Sequence, residues 1–280
     1  MFKKIFNFFK EKGLAGFVFQ AFKFLFHRIF RARLVGDFTI ASVSTEKKIF
    51  SKCSLKFSDD GYYCLDPMPS TEELDEYYNN YYWDDTKKAK KTYGANSRDF
   101  LHYYLLKEYV PEVLAKGKVF LNFGAGHGGM SHLSWLDGME VVNIEPSQLP
   151  KFYKDRWVTY TDISEVEDAS VDLIYGSHSL EHVQDIEYSK KEFNRVLRPN
   201  GLLFWEVPNA DNKNHGSQHG RVDIPHTYYF KTDFFNKWFT ETLLNDGFEQ
   251  ESWKRTNIIE NWNEYRDPKG IVIRALGRID

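Results

Sequence analysis

The feature that most constrains the fold is a short apolar run, Val119-Phe120-Leu121-Asn122-Phe123, that ends in Gly124-Ala125-Gly126-His127-Gly128-Gly129. Branched and aromatic residues favour an extended strand. Glycines directly after it let the backbone turn sharply and approach a ligand with no Cβ in the way. A helix opening behind such a turn aims its first amides at the same ligand. From Lys118 onward the pattern keeps alternating. Strands are expected at 119–123, 140–144, 157–160, 171–175 and 202–207, and helices at 130–136, 186–196 and 231–245. That alternation predicts a mainly parallel sheet covered on both faces. Two further strands, 248–255 and 271–276, have only a polar connection between them, so the sheet is expected to end in an antiparallel pair.

The glycine run alone does not choose a ligand. It fits Gly-x-Gly-x-Gly and, through Gly124, Gly126 and Gly129, the dinucleotide pattern Gly-x-Gly-x-x-Gly; a tight turn without a ligand is the lesser alternative. Glu145 ends the second strand 21 residues after Gly124, where a carboxylate can accept from both ribose hydroxyls of an adenosine. Asp162 follows the third strand, in reach of an adenine amino group.

The next segments discriminate. Asp172-Leu173-Ile174, Leu180-Glu181-His182-Val183 and Arg195-Val196-Leu197-Arg198-Pro199-Asn200-Gly201 follow one another in order. In order and spacing they resemble the class I S-adenosylmethionine-dependent methyltransferases, especially the ubiquinone-biosynthesis-like branch, over about 160 residues. The resemblance implies a Rossmann-like α/β fold with a mainly parallel seven-stranded sheet whose last strand is reversed. It also implies S-adenosylmethionine as cofactor, bound by Asn122, Gly124, Ala125, Gly126, Gly128, Glu145, Asp162, Ile163 and Ser177. Three positions depart from the family. Asn122 stands where the family has Asp or Glu, so its contact to the methionine ammonium is weaker or runs through water. Asn200 replaces the first glycine of Pro-Gly-Gly, which a left-handed backbone tolerates. The stretch 146–155 is short for a helix after the second strand.

Upstream of 97–280, which reads as the catalytic domain, two segments precede it. Residues 1–34 carry eight Lys or Arg against the single acid Glu11, a net +7 that leaves −10 on the rest of the chain. Phe2, Ile5, Phe6 and Phe9 share one helical face, and Leu14, Val18, Phe22, Leu25 and Ile29 continue a second stripe. The segment is too interrupted by charge to span a bilayer. It is expected to lie on an anionic membrane surface, or else to pack on the body or on a second copy in a homodimer. Residues 35–96 form a small β and helical extension, with a turn at Ser58-Asp59-Asp60-Gly61 and a capping box, Ser70 with Glu73, opening a short helix. This part resembles the region that precedes some sugar-modifying methyltransferases. It keeps Pro67-Met68-Pro69-Ser70 and Leu74-Asp75-Glu76-Tyr77-Tyr78 but lacks their zinc-binding cysteine pairs. Cys53 and Cys64 suit neither a metal site nor a disulfide framework and point to a reducing cytoplasm.

The acidic body argues against a nucleic-acid acceptor, which would need clustered cations near the site. The absence of Asn-Pro-Pro-Tyr after the fourth strand argues against methylation of base or glutamine amines. Five of the nine histidines, 178, 182, 215, 219 and 226, fall in the two loops that border the expected cleft. An alcohol acceptor needs its proton removed, and histidine has the pKa range for it. His226 is the preferred base and His178 the second catalytic candidate; His182 is expected to fix its loop, and no metal site is assigned, although His178, Glu181 and His182 could supply ligands. The expectation is a transferase (EC 2.1.1.-) that O-methylates a small or lipid-linked hydroxylated acceptor, such as a sugar in surface-glycan assembly, in the cytoplasm or at the inner face of the membrane. The competing expectations are a quinone or isoprenoid-phenol acceptor, a nicotinamide-dependent oxidoreductase, and a methyltransferase-like binding module without turnover, supported only by Asn122.

Overall fold

The computed structural model describes residues 49–82, 97–146, 156–223, 225–249 and 266–279. Residues 1–34, the lysine-rich stretch 87–91 and most of 146–155 therefore lie outside the described residues. The chain divides into two compact units at Ser51, and every described strand belongs to the second, Lys52–Asp280.

Five parallel strands form most of one sheet: β3 (Val119–Phe123), β4 (Glu140–Ile144), β5 (Val158–Tyr160), β6 (Val171–Ser177) and β7 (Leu197–Pro208). Two more, β9 (Glu241–Phe248) and β10 (Val272–Arg278), complete it in the order β5-β4-β3-β6-β7-β10-β9. β10 runs antiparallel to both neighbours. The fold is thus the expected Rossmann-like methyltransferase architecture, with a mainly parallel seven-stranded sheet and a reversed strand near its edge.

Central strands buried on both faces read as continuous apolar runs, and their alternate side chains divide between two cores. Phe120, Leu173, Leu202 and Phe204 face helices α2 (Ser97–Tyr109) and α3 (Gly129–Leu136), against Leu101, Leu105, Met130 and Leu133. Leu121, Ile174, Leu203 and Trp205 face helices α4 (Ile186–Val196) and α5 (Thr232–Trp238), against Ile186, Phe193, Phe234 and Phe235. Each such fully buried side chain is worth roughly 1.5–3 kcal/mol of removal from water. Helix α4 starts where Asp185 accepts from the amides of Glu187 and Tyr188. Asn200 does adopt the left-handed backbone, at φ 67°.

A second, three-stranded sheet stands beside the first. β1 (Ser54–Ser58) and β2 (Tyr62–Asp66) form the hairpin expected from the Asp-Asp-Gly turn, and the Ser70–Glu73 capping box opens helix α1 (Thr71–Tyr77). The third strand, β8 (Tyr228–Phe230), comes from the far end of the chain and pairs with β2. Three residues are too few to carry an alternating pattern, so this strand was invisible in the sequence.

The C-terminal expectations need a correction. Helix α5 stops at Trp238 rather than continuing to 245, because Phe239 turns to an extended backbone at φ −81°, ψ 135°. The strand that follows is 241–248, not 248–255, and residues 250–265 lie outside the described residues. Phe234, Phe235 and Trp238 keep a helical spacing that nothing local ends at 238. β9 owes its strand form to pairing with β10, some 30 residues away.

Candidate active site

At the carboxyl ends of β3 and β6 lies a cavity of about 230 Å³. It is lined by the glycine loop, Asn122, Tyr175, Ser177 and His178, together with Tyr82, Arg98 and Asp99 from the helical segments before the sheet. The loop is held from behind, since the amides of Gly124 and Ala125 both donate to the Ile144 carbonyl at 2.9 and 3.0 Å. Gly124 and Gly126 have left-handed φ values of 69° and 51°. They differ in what a side chain would meet. A Cβ on Gly124 would sit 2.5 Å from the Cβ of Ser179, whereas one on Gly126 would meet no protein atom within 4 Å. Gly124 is required by packing, and Gly126 keeps an approach to the loop open.

The expected cofactor residues fall into two groups. Asn122, Gly124, Ala125, Gly126, Gly128 and Ser177 all line the cavity. Glu145, Asp162 and Ile163 do not. Glu145 accepts from the Gly126 amide at 2.6 Å, a charge-assisted bond that pins the loop to β4. Asp162 is exposed and caps the short turn Ile163–Glu165, accepting from Ser164. The Ile163 side chain is buried in the core, so only its backbone could meet a ligand. Asn122 is itself buried; its Nδ2 donates to Ser131 Oγ at 2.8 Å, and that hydroxyl donates to Asn143 Oδ1 at 2.7 Å.

Beside the cavity runs a row of charged and titratable groups. Strand register creates its centre: Glu206 on β7 lies opposite Ser177 on β6 and Arg274 on β10. Glu206 and Arg274 are fully buried, with Arg274 Nε donating to Glu206 Oε2 at 2.7 Å. His102, reaching down from α2, bridges the same oxygen at 2.9 Å and the Tyr175 hydroxyl at 2.8 Å. Burial would raise the Glu206 pKa, but the hydrogen bond from His102 and the charge of Arg274 hold it well below the carboxylate range. Burial keeps His102 neutral despite that carboxylate.

His178 stands on a left-handed residue, φ 52°, at the cavity wall. Its Nδ1 is 3.3 Å from Glu181 and its Nε2 3.5 Å from Glu206. Those contacts are charge pairings rather than aligned hydrogen bonds, since His178 Nε2 and both Glu181 oxygens lack a hydrogen-bond partner among the described residues. Burial opposes a charge on His178, but the two carboxylates outweigh it and hold the imidazole protonated up to about 10. An imidazolium cannot serve as a base at neutral pH, so the structure gives His178 a charged, positioning character. His182 is the reverse case: burial pushes it down to about 4, against the pull of Glu181. Burial also lowers His226.

His226 does not line the cavity. Its ring lies 5.0 Å from that of His182. The donor atoms of Glu181, His182 and His226 lie within 4.8 Å of one another, and the Nδ1 atoms of both histidines are buried without a hydrogen-bond partner among the described residues. Two neighbours of His226 staple its loop here. Thr227 Oγ1 donates to the carbonyls of Glu181 and Val183 at 2.9 and 2.6 Å, and the Tyr228 hydroxyl accepts from the Ile186 amide. His215 instead caps a short turn, with Nδ1 2.8 Å from Ser217 Oγ, and His219 is exposed.

Sequence reasoning missed Tyr82, Arg98, Asp99, Glu206 and Arg274. Tyr82 lies in a π-helical turn, Tyr78–Tyr82, lines the cavity, and packs its ring 6.1 Å from His182, so it bridges cavity and histidine cluster. Its tyrosine-rich run was one available signal. A glutamate inside the apolar run Leu202-Leu203-Phe204-Trp205-Glu206-Val207 was another, since a charge in a buried strand needs a partner.

A family model described as a methyltransferase domain matches residues 96–248. No curated protein sequence matches the chain significantly. Solved structures with a similar chain path include an S-adenosylmethionine-dependent methyltransferase from Mesorhizobium loti, 15% identical with a TM-score of 0.43, covering 63% of this chain and 96% of that one. A phosphoethanolamine N-methyltransferase from Haemonchus contortus, in complex with S-adenosylmethionine, is 17% identical at a TM-score of 0.39, covering 49% of this chain and 36% of that one. The cavity's own residues fit that cofactor. The Gly126 approach is open and the Asn122 carbonyl can accept, while Glu145, outside the cavity, holds the loop from the end of β4.

Proposed function

This chain belongs to the methyltransferase-domain family, and we propose that it takes S-adenosylmethionine as its cofactor and methylates a hydroxyl oxygen of a small or lipid-linked acceptor such as a sugar in surface-glycan assembly. The observation that carries the oxygen assignment is the pair of half-buried histidines beside Glu181, both of which burial holds neutral. The bound cofactor supplies a methyl group on a sulfonium, ready for in-line displacement. The protein must then align the acceptor oxygen and take its proton.

His226 is the proton acceptor in this reading. Its lowered pKa keeps Nδ1 free to accept, and that atom has no hydrogen-bond partner among the described residues. Glu181 stabilises the imidazolium that forms, as it is one of the charges facing His226. His178, already charged, donates to the acceptor rather than accepting from it. Tyr82 lines the cavity and packs against His182, so in this reading it orients the acceptor between them. The lipid-linked class is favoured by the basic, Phe-rich residues 1–34, which suit attachment to an anionic membrane. No helix among the described residues is long and apolar enough to cross one.

A second reading has its own observation. Glu181, His182 and His226 together offer a carboxylate and two imidazoles at ligand spacing, so a divalent cation held there would lower the acceptor's pKa directly. A screen of nucleotide- and lipid-linked sugars, run with and without a chelator, tests both. Turnover on a sugar that survives chelation supports His226 as base; turnover abolished by chelation and restored by a divalent metal supports the cation. Methylation of amines alone, with no hydroxyl acceptor turned over, would contradict both.

A further inference from the structure

We propose that Asp99 and Arg98, in the first turn of α2, clamp the amino-acid end of S-adenosylmethionine, with Asp99 supplying the negative charge that Asn122 lacks. The cavity is where that end would sit: Glu145 and Asp162, suited to ribose and adenine, do not line it, whereas Asn122, Ser177 and His178 do. The methionine end is a zwitterion, and a zwitterion leaving water for a half-enclosed cavity requires opposite charge at each pole.

Asn122 cannot provide the anion. Its amide is neutral, its Nδ2 is committed to Ser131, and only the carbonyl oxygen can turn to an ammonium. A carboxylate makes the stronger, charge-assisted bond. Among the described residues that line the cavity, Asp99 is the single acid. Arg98 lines it as well, a planar donor fork that matches a carboxylate bidentately. Adjacent helical residues do not usually face the same way, yet both reach the cavity because α2 begins at its rim. Asp99 has a ligand-free alternative role: an acid in the first turn complements the helix dipole. The two roles predict different behaviour.

The test is calorimetry on the full chain with two ligands. S-adenosylhomocysteine carries the amino-acid end; 5′-methylthioadenosine keeps the adenosine and thioether but lacks it. D99N and R98M should each weaken S-adenosylhomocysteine roughly 10- to 100-fold while changing 5′-methylthioadenosine by no more than about twofold. The double variant D99N/N122D, which returns a carboxylate at the neighbouring wall, should recover much of the lost affinity. Unchanged S-adenosylhomocysteine binding in D99N would overturn the proposal. So would an equal loss of both ligands, the mark of a purely structural helix start, or a preference abolished by N122A and untouched by D99N.

Discussion

The charge state of His178 can be read from how stability depends on pH. Unfolded, its imidazole titrates near ~6.5; folded, it stays protonated up to about 10 under Glu181 and Glu206. A raised folded pKa gives stability that is complete below ~6.5 and is lost as pH climbs toward the folded value. Proton linkage sets the slope at about 1.4 kcal/mol per pH unit for one proton. Between roughly pH 6.5 and 8.5 the native state should therefore lose up to about 2.7 kcal/mol on this account. His182 works on the acid side. The folded protein refuses its proton until about 4, so stability also falls as pH drops from ~6.5, and buried His102 and half-buried His226 act in the same sense. For these histidines alone the curve should be a tent with its peak near pH ~6.5. Asparagine tolerates the left-handed backbone at position 178, so His178→Asn removes the titrating group with little backbone strain. Urea unfolding at several pH values between neutral and mildly alkaline should show the variant destabilised overall but with its alkaline slope reduced by close to one proton. The thiols of Cys53 and Cys64, which burial pushes up, contribute equally to both proteins and cancel. An alkaline slope identical in wild type and variant would refute a charged His178.

Other perturbations separate cofactor, base and anchor. Gly126→Val places a side chain in the open approach, and Glu145→Ala removes both the expected ribose contacts and the bond to the loop; each should weaken S-adenosylhomocysteine by ~1–3 kcal/mol in calorimetry. His226→Ala should lower kcat by ~10²–10⁴-fold with cofactor affinity unchanged, a split that steady-state kinetics beside calorimetry would reveal. Deleting residues 1–34 should abolish salt-sensitive co-sedimentation with anionic vesicles; a deletion that unfolds the body or splits a dimer would instead point to packing.

The fold was legible because a parallel sheet writes itself into sequence. Val119–Phe123, Glu140–Ile144 and Ile186–Val196 stand where apolar runs and helical spacing put them, and the glycine loop lines the cavity as its pattern implied. Legibility failed where structure depends on distant partners. Tyr228–Phe230 is a strand only because β2 pairs with it, and β9 only because β10 does. The site shows the same division. Loop glycines, Asn122 and Ser177 follow from local motif, whereas Arg98 and Asp99 reach the cavity through the placement of α2, which no spacing encodes. His226 was found for its chemistry, but its position beside His182 is set by Thr227 and Tyr228, whose hydrogen bonds to the other loop have no sequence signature. The charge on His178 was hidden for a like reason: it comes from Glu206, 28 residues further along the chain and brought near by strand register.

Methyl transfer to oxygen is tested most directly by following a labelled methyl group. Full-length protein, methyl-labelled S-adenosylmethionine and a mixture of nucleotide- and lipid-linked sugars should yield label in a product whose methyl group resists alkali, as an ether does. The label should disappear from product when His226 is replaced by alanine. Label recovered only in alkali-labile esters or in amines, or turnover on a sugar hydroxyl that His226→Ala and chelation both leave unchanged, would contradict this account of the site.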